Sequence, residues 1–298
     1  VLDIPGCFVK ITDNILVMTL NECNNLSRAD AKLMFKECCG AEKWVDALLK
    51  AMPFKEEAEL IKTANHAWYS LCNEQDWLEA FSHHPKIGNQ AKPGEKFAAA
   101  EQSGVQSATQ KTIDELANAN EAYEKKNGFI FIVCATGKPA SEMLQLLHQR
   151  LQNSKIEELH IAMNEQQKIT ILRLKKNLSK ANWGAIPISQ LTTHVLDTSI
   201  GQPGKNMGIR LQKLEPGYWQ TIAQGITNED GRIADMLPAL HYLNGNFKML
   251  FDTGAYFAQK QTNCFYPVVE IQFTIAGQTH YHIPLLISPF GFTTYRGS

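Results

Sequence analysis

Charge and glycine are distributed unevenly about Pro187, and this asymmetry limits the chain's architecture more than any single motif. The first 187 residues carry 22 basic and 23 acidic side chains, whereas the last 111 carry 7 of each. Glycine runs the other way, with 8 before that point and 11 after it. Helices use charged outer faces, while turn-rich sheets need glycine, so an α part followed by a β part is expected. A chain of 298 residues has room for two domains. The aperiodic stretch Lys176-Asn-Leu-Ser-Lys-Ala-Asn-Trp-Gly-Ala-Ile-Pro187 reads as the connection. Residues 1–176 form the expected helical domain, 177–187 the linker and 188–298 the sheet domain.

Local patterns fill in both parts. Ser27 caps a helix whose apolar positions Ala31, Met34, Phe35 and Cys38 recur at helical spacing, with Gly40 as its stop. A second stripe, Trp44, Leu48, Leu49 and Met52, ends at Pro53. Residues 56–72, 77–81, 97–123, 141–151 and 156–174 supply further helices. The run Phe129-Ile-Phe-Ile-Val-Cys-Ala135 reads as a buried strand by residue type, although periodicity does not tell it from a buried helix turn. Beyond Pro187, Val269, Ile271, Phe273 and Ile275 alternate with polar residues, the pattern of a sheet with one wet face. Asn228-Glu-Asp-Gly231, Asn244-Gly245 and Ala276-Gly277 read as hairpin turns, and a β-sandwich fits.

A net charge of -1 supplies no basic footprint for nucleic acid or anionic lipid, so a small-molecule substrate is expected. Seven cysteines without CxxC spacing argue against a disulfide framework or a structural zinc site and suit a reducing, cytoplasmic setting. No apolar run approaches the ~20 residues of a membrane span.

Several histidines lie in runs with chemical potential. Thr192-Thr-His194-Val-Leu-Asp197 and Thr279-His280-Tyr-His282-Ile-Pro284 are strand-like, and His280 and His282 fall on one face. Taken singly, each reads first as a sheet-surface or hydrogen-bonded core histidine, and a His-x-His pair points to metal only where a third ligand stands close by. Arg232 follows the Asn-Glu-Asp-Gly turn, and Tyr295-Arg-Gly-Ser298 ends the chain. Together, the run 191–198, the turn 225–232, the strand 282–288 and the terminal tetrapeptide closely resemble the 5-hydroxyisourate hydrolases, which share a fold with the carrier transthyretin. The resemblance covers 187–298. It implies a homotetrameric, transthyretin-like β-sandwich with pockets between subunits and a catalytic cluster of His194, Arg232 and His282. Ser288, Tyr295, Arg296, Gly297 and Ser298 would line the pocket. The side chains suit the reaction. Imidazole titrates where a base for water must, and a guanidinium can hold and stabilise carbonyl oxygens.

In the first part, His83-His84-Pro85-Lys-Ile-Gly88 stops a helix, because proline disfavours a helical residue before it. Glu101-Gln102-Ser-Gly104, Asn127-Gly-Phe-Ile-Phe-Ile-Val-Cys134 and Lys168-Ile-Thr-Ile-Leu-Arg173-Leu174 follow. In this order the segments resemble 2-oxo-4-hydroxy-4-carboxy-5-ureidoimidazoline (OHCU) decarboxylase, an all-helical enzyme acting on the hydrolase's product. The resemblance spans about 15–174. It implies His84 as the catalytic histidine with Glu101 as its carboxylate partner, and Pro85, Gln102 and Arg173 at the substrate. Where the family often carries serine three residues before the glutamate, this chain has Ala98.

The two resemblances together imply one chain that hydrolyses 5-hydroxyisourate and decarboxylates the product to (S)-allantoin. No cofactor and no metal are expected, because the ring's conjugated system can take the electron pair left by CO2. A transthyretin-like carrier with a helical interaction module is the alternative from another class. A histidine-cluster metallohydrolase is a third.

Overall fold

The computed structural model describes residues 18–85, 109–181, 183, 186 and 189–297. Its first part is helical: α1 (Leu20–Asn24), α2 (Arg28–Cys38), α3 (Glu42–Ala51), α4 (Glu57–His66), α5 (Glu74–Ser82), α6 (Gln110–Asn127), α7 (Ala140–Arg150) and α8 (Lys155–Asn177). Local chemistry sets the ends. Ser27 accepts from the Asp30 amide at the start of α2, reciprocal capping boxes open α5 at Asn73 and α8 at Ser154, and Gly128, left-handed at φ 82°, closes α6. The helix expected over 56–72 is α4 followed by a π-helical turn, Ala67–Leu71. Of the helix expected over 97–123, the portion before 109 lies outside the described residues.

The apolar stripes converge on a core that includes Phe35, Trp44, Trp68, Phe81 and Tyr123. Buried indoles still need acceptors: Trp44 donates to the Ala64 carbonyl at 3.0 Å and Trp68 to that of Met163 at 2.9 Å.

The strand expected over 129–135 does not form. The segment is buried but pairs with no strand. Buried charged side chains serve its backbone instead: Cys134 N–H donates to the Glu165 carboxylate at 2.8 Å, and the Ile132 carbonyl accepts from Arg150 at 2.8 Å. Residue type reported the burial correctly, but burial alone does not name the partner of the peptide groups.

The second part is a sandwich of two sheets. One has β1 (Leu191–Asp197) between β8 (Tyr281–Ser288) and the short β2 (Gln202–Pro203) and β5 (Arg232–Ile233), with β9 (Gly291–Thr294) outside β8. The other is ordered β4 (Tyr218–Ile226), β3 (Gly208–Glu215), β6 (Gly245–Phe251), β7 (Val269–Ile275). The helix α9 (Thr253–Gln259) joins β6 to β7. Val195, Leu285, Phe247, Met249 and Phe251 fill the space between the sheets. β7 alternates as expected, its ends buried and its intervening residues more exposed.

The expected hairpin turns are corners of another kind. Asn228–Gly231 carries the chain from β4 in one sheet to β5 in the other, and Ala276-Gly277 carries it from β7 to β8 in the same way. Asn244-Gly245 only opens β6. The turn between β3 and β4 is at Pro216-Gly217, and that between β8 and β9 at Pro289-Phe290. Turn chemistry marks where the chain reverses without saying which sheet receives it.

The two parts are docked. Thr221 on β4 donates to Glu157 at 2.9 Å, Asn164 to the Met236 carbonyl at 3.1 Å and Asn65 to that of Ala239 at 2.9 Å. His241 stacks on Tyr69 with 3.7 Å between ring centroids. Burial, with Lys213 nearby, lowers the His241 pKa to about 4 and keeps this stack neutral. The six cysteines among the described residues are free. No helix among those residues is long and apolar enough to cross a membrane.

Candidate active sites

The first site is set at the end of α5. His83 caps that helix, and the His84 amide donates to the Phe81 carbonyl at 3.1 Å, which ties the ring-bearing residue to the last turn. The expected stop Gly40 lies beyond the end of α2 at Cys38, and its absence of a side chain serves a different purpose. A Cβ there would run into the His83 ring. Glycine thus lets the chain after α2 pack against the turn that carries His84.

Facing this turn, α8 presents Gln166, Thr170 and Arg173, spaced by four and three and therefore on one face. All three are buried. Arg173 Nη1 reaches the Glu37 carbonyl at 3.3 Å, at the end of α2. Burial, then the Arg173 charge and, more weakly, His83 push the His84 pKa down to about 3, against the opposing pull of the Gln166 amide. The imidazole is therefore neutral near pH 7 and can accept a proton or donate a hydrogen bond. The Cys38 and Cys39 thiols close by are pushed up to about 12 by burial, which makes them packing groups and not nucleophiles. Glu101, Gln102 and Ala98 lie outside the described residues. Pro85 follows His84 directly.

The second site is on the outer face of the β1 sheet. Along β1, Thr192, His194 and Leu196 alternate outward with buried neighbours. His194 lies directly opposite Arg232 in the antiparallel β1/β5 pair, and Thr192 opposite His282 in the parallel β1/β8 pair. Register therefore gathers His194, Arg232 and His282 from three strands. Thr192 Oγ1 joins the histidines, 2.9 Å from His282 Nδ1 and 3.1 Å from His280 Nε2. Burial lowers the His194 pKa, helped by the Arg232 charge and opposed by Asp230. Burial likewise lowers that of His282, with Arg232, His194 and His280 adding to it. Both rings are thus biased toward the neutral form beside the Arg232 guanidinium.

The chain's end returns to this cluster. The Gly297 amide donates to the His282 carbonyl at 3.0 Å, and a Cβ on Gly297 would lie 2.6 Å from His282 Cδ2, so only glycine permits the approach. Arg296 places its guanidinium 5.1 Å from the centre of the Tyr281 ring, and Tyr295 is 59% exposed. Ser298 lies outside the described residues. Ser288 is not at this cluster in the same chain. It sits at the opposite end of β8, six residues or roughly 20 Å of strand rise from His282, where its hydroxyl donates to the Gly291 carbonyl at 3.2 Å. Among the described residues no three His, Cys, Asp or Glu side chains are grouped to hold a metal ion.

Thr192, Gln166 and Thr170 are the site residues that motif reading missed. Strand alternation from His194 points to Thr192, and helical spacing back from Arg173 points to the other two.

Residues 24–175 match the family model described as OHCU decarboxylase, and residues 191–297 that described as HIUase/Transthyretin family. The uric acid degradation bifunctional protein TTL of Arabidopsis thaliana is 33% identical over 320 residues, covering 89% of this chain and 97% of that protein. A 5-hydroxyisourate hydrolase of Mus musculus is 43% identical over 113 residues, 37% of this chain and 96% of its own. A crystal structure of (S)-allantoin synthase aligns over 94% of this chain and 100% of its own, at 25% identity and a TM-score of 0.46.

Proposed function

The chain belongs to the OHCU decarboxylase family and carries a HIUase/transthyretin-family domain behind it, and from that premise we propose that it degrades urate products in two successive steps. The sheet domain hydrolyses 5-hydroxyisourate to OHCU, and the helical domain decarboxylates OHCU to (S)-allantoin. The observation that carries this reading is the similarity to the Arabidopsis bifunctional protein, which runs through both domains in the same order.

In the first step His194 and His282 serve as bases for water, which adds across a cyclic C–N amide bond, and Arg232 holds the carbonyl oxygen as charge builds on it. The Tyr295 to Ser298 tail bounds the pocket. In the second step the C–C bond to the carboxylate breaks, CO2 leaves, and the electron pair enters the conjugated ring until a proton arrives. Neutral His84 manages the proton, and Glu101 is its carboxylate partner once the ring has taken that proton and become an imidazolium. Arg173 fixes the anionic substrate through its forked donors, which a lysine's point charge does less well. Pro85 and Gln102 shape the substrate's surroundings.

Self-association completes the hydrolase pocket in this reading. Ser288 reaches a histidine cluster only when a second copy supplies one. The neighbouring edge strand β9 and the exposed rings of Phe265, Phe290 and Phe292 offer a surface for that copy. A homotetramer of cytoplasmic location is proposed.

The test follows the ultraviolet absorbance of freshly made 5-hydroxyisourate. The intact chain is expected to clear it far faster than buffer does, and removal of residues 295–298 to slow clearance by at least tenfold without loss of decarboxylation. Clearance at the buffer rate by the intact chain would refute the hydrolase assignment.

A further inference from the structure

The polar face of α8 determines which way one buried amide points. Thr170 donates its only hydroxyl proton to the Gln166 main-chain carbonyl at 3.0 Å. Toward the Gln166 side chain that hydroxyl can therefore only accept, and it does so from Nε2 at 3.2 Å. The nitrogen end of the amide is thus pinned on Thr170 and the oxygen end is turned away from it. Gln166 is fully buried, and its Oε1 makes no closed hydrogen bond among the described residues. An unserved buried oxygen is costly. The same amide faces the His84 ring, together with Arg173 and His83. Arg173, two turns further along the same helix face, is on the substrate side of the proposed decarboxylase site.

We propose that Gln166 is a positioning residue of the helical site, whose Oε1 takes the N–H of neutral His84 and thereby leaves the ring's other nitrogen unprotonated. This inference rests on the reading of His84 as the decarboxylase's catalytic histidine. A neutral imidazole carries one N–H and one lone pair, and the hydrogen bond at one nitrogen decides which is which. With the N–H held by Gln166, the lone pair is available to substrate. When the substrate's O–H bond breaks, the new N–H bond forms at that second nitrogen, and the resulting imidazolium keeps its first N–H on Gln166. Thr170 is part of the device, since without its hydroxyl the amide could turn over and offer the ring a donor instead.

The experiment uses the full chain labelled with 15N-histidine, with the His84 resonances assigned by comparison with His84→Ala. The unaltered protein is expected to show a single His84 tautomer near pH 7. Gln166→Leu is expected to show a mixture or the opposite tautomer, with kcat for decarboxylation lowered at least tenfold and KM changed less than twofold. Hydrolysis of 5-hydroxyisourate by the sheet domain should stay within twofold and so reports folding. If Gln166→Leu loses hydrolysis as well, Thr170→Val, which keeps the amide and frees its orientation, carries the same tautomer test. An unchanged single tautomer in the folded variant would overturn the proposal. Failure of the underlying reading is distinguishable, because His84→Ala would then decarboxylate normally whatever the tautomer does.

Discussion

A His84→Ala protein is expected to clear 5-hydroxyisourate at the unaltered rate and to let OHCU accumulate, with decarboxylation slowed about 100-fold or more. The expectation follows from the division of side chains between the domains. His84 stands with Gln166 and Arg173 among helices, whereas His194, Arg232 and His282 are assembled by strand register, and among the described residues no side chain named here belongs to both clusters. Arg232→Ala should give the mirror image, since it deletes the cation that lies opposite His194 and leaves the helical site intact. Removing such a charge-stabilising donor typically costs a similar factor. A mixture of the two single variants should then turn over both steps, because the intermediate can leave one chain and enter another. Loss of 5-hydroxyisourate clearance in His84→Ala would show that the labour is divided differently.

The largest stability effect is expected at Glu158. This carboxylate is fully buried and accepts from Arg150 Nε at 2.9 Å, from Asn153 at 2.7 Å and from the Tyr123 hydroxyl. Arg150, also buried, spends another donor on the Ile132 carbonyl and lies over the Phe131 ring, 4.6 Å from its centre. Glu158→Ala leaves that guanidinium buried without its counter-charge, which costs about 3–5 kcal/mol. Against a typical total of about 5–15 kcal/mol, this is a large share and should lower the melting temperature by on the order of 10 °C. The exposed pair Lys205–Glu229 is the control, because a solvated ion pair contributes about 1 kcal/mol or less. Denaturant titration of Glu158→Ala and Glu229→Ala checks both. Equal small losses would show that the buried network contributes no more than a surface contact.

Local chemistry is legible in this sequence, whereas contacts made by tertiary packing are not. Helices were legible because their caps and stripes are local: Ser27, Asn73 and Ser154 each act within one turn. The segment 129–135 was misread as a strand because its backbone partners are Arg150 and Glu165, side chains on helices that follow it. The turns at 228–231 and 276–277 were read as hairpins because the decision between pairing within a sheet and crossing to the other is made by tertiary packing. Spacing alone could not have joined Thr192 to His282, which are brought together by a parallel pairing of strands 90 residues apart. Only the family resemblance linked His194, Arg232 and His282 beforehand. Gln166 was missed for a related reason, since a glutamine beside a second one, Gln167, in a helix carries no sign that its amide is buried and directed at an imidazole.

Central to this account is that both domains act in succession on one heterocycle, the second with stereochemical control. The most direct measurement gives the intact protein freshly made 5-hydroxyisourate and records circular dichroism as allantoin forms. The account predicts a growing signal of one sign, belonging to (S)-allantoin, at a rate well above that of buffer. Racemic allantoin appearing at the uncatalysed rate would contradict it.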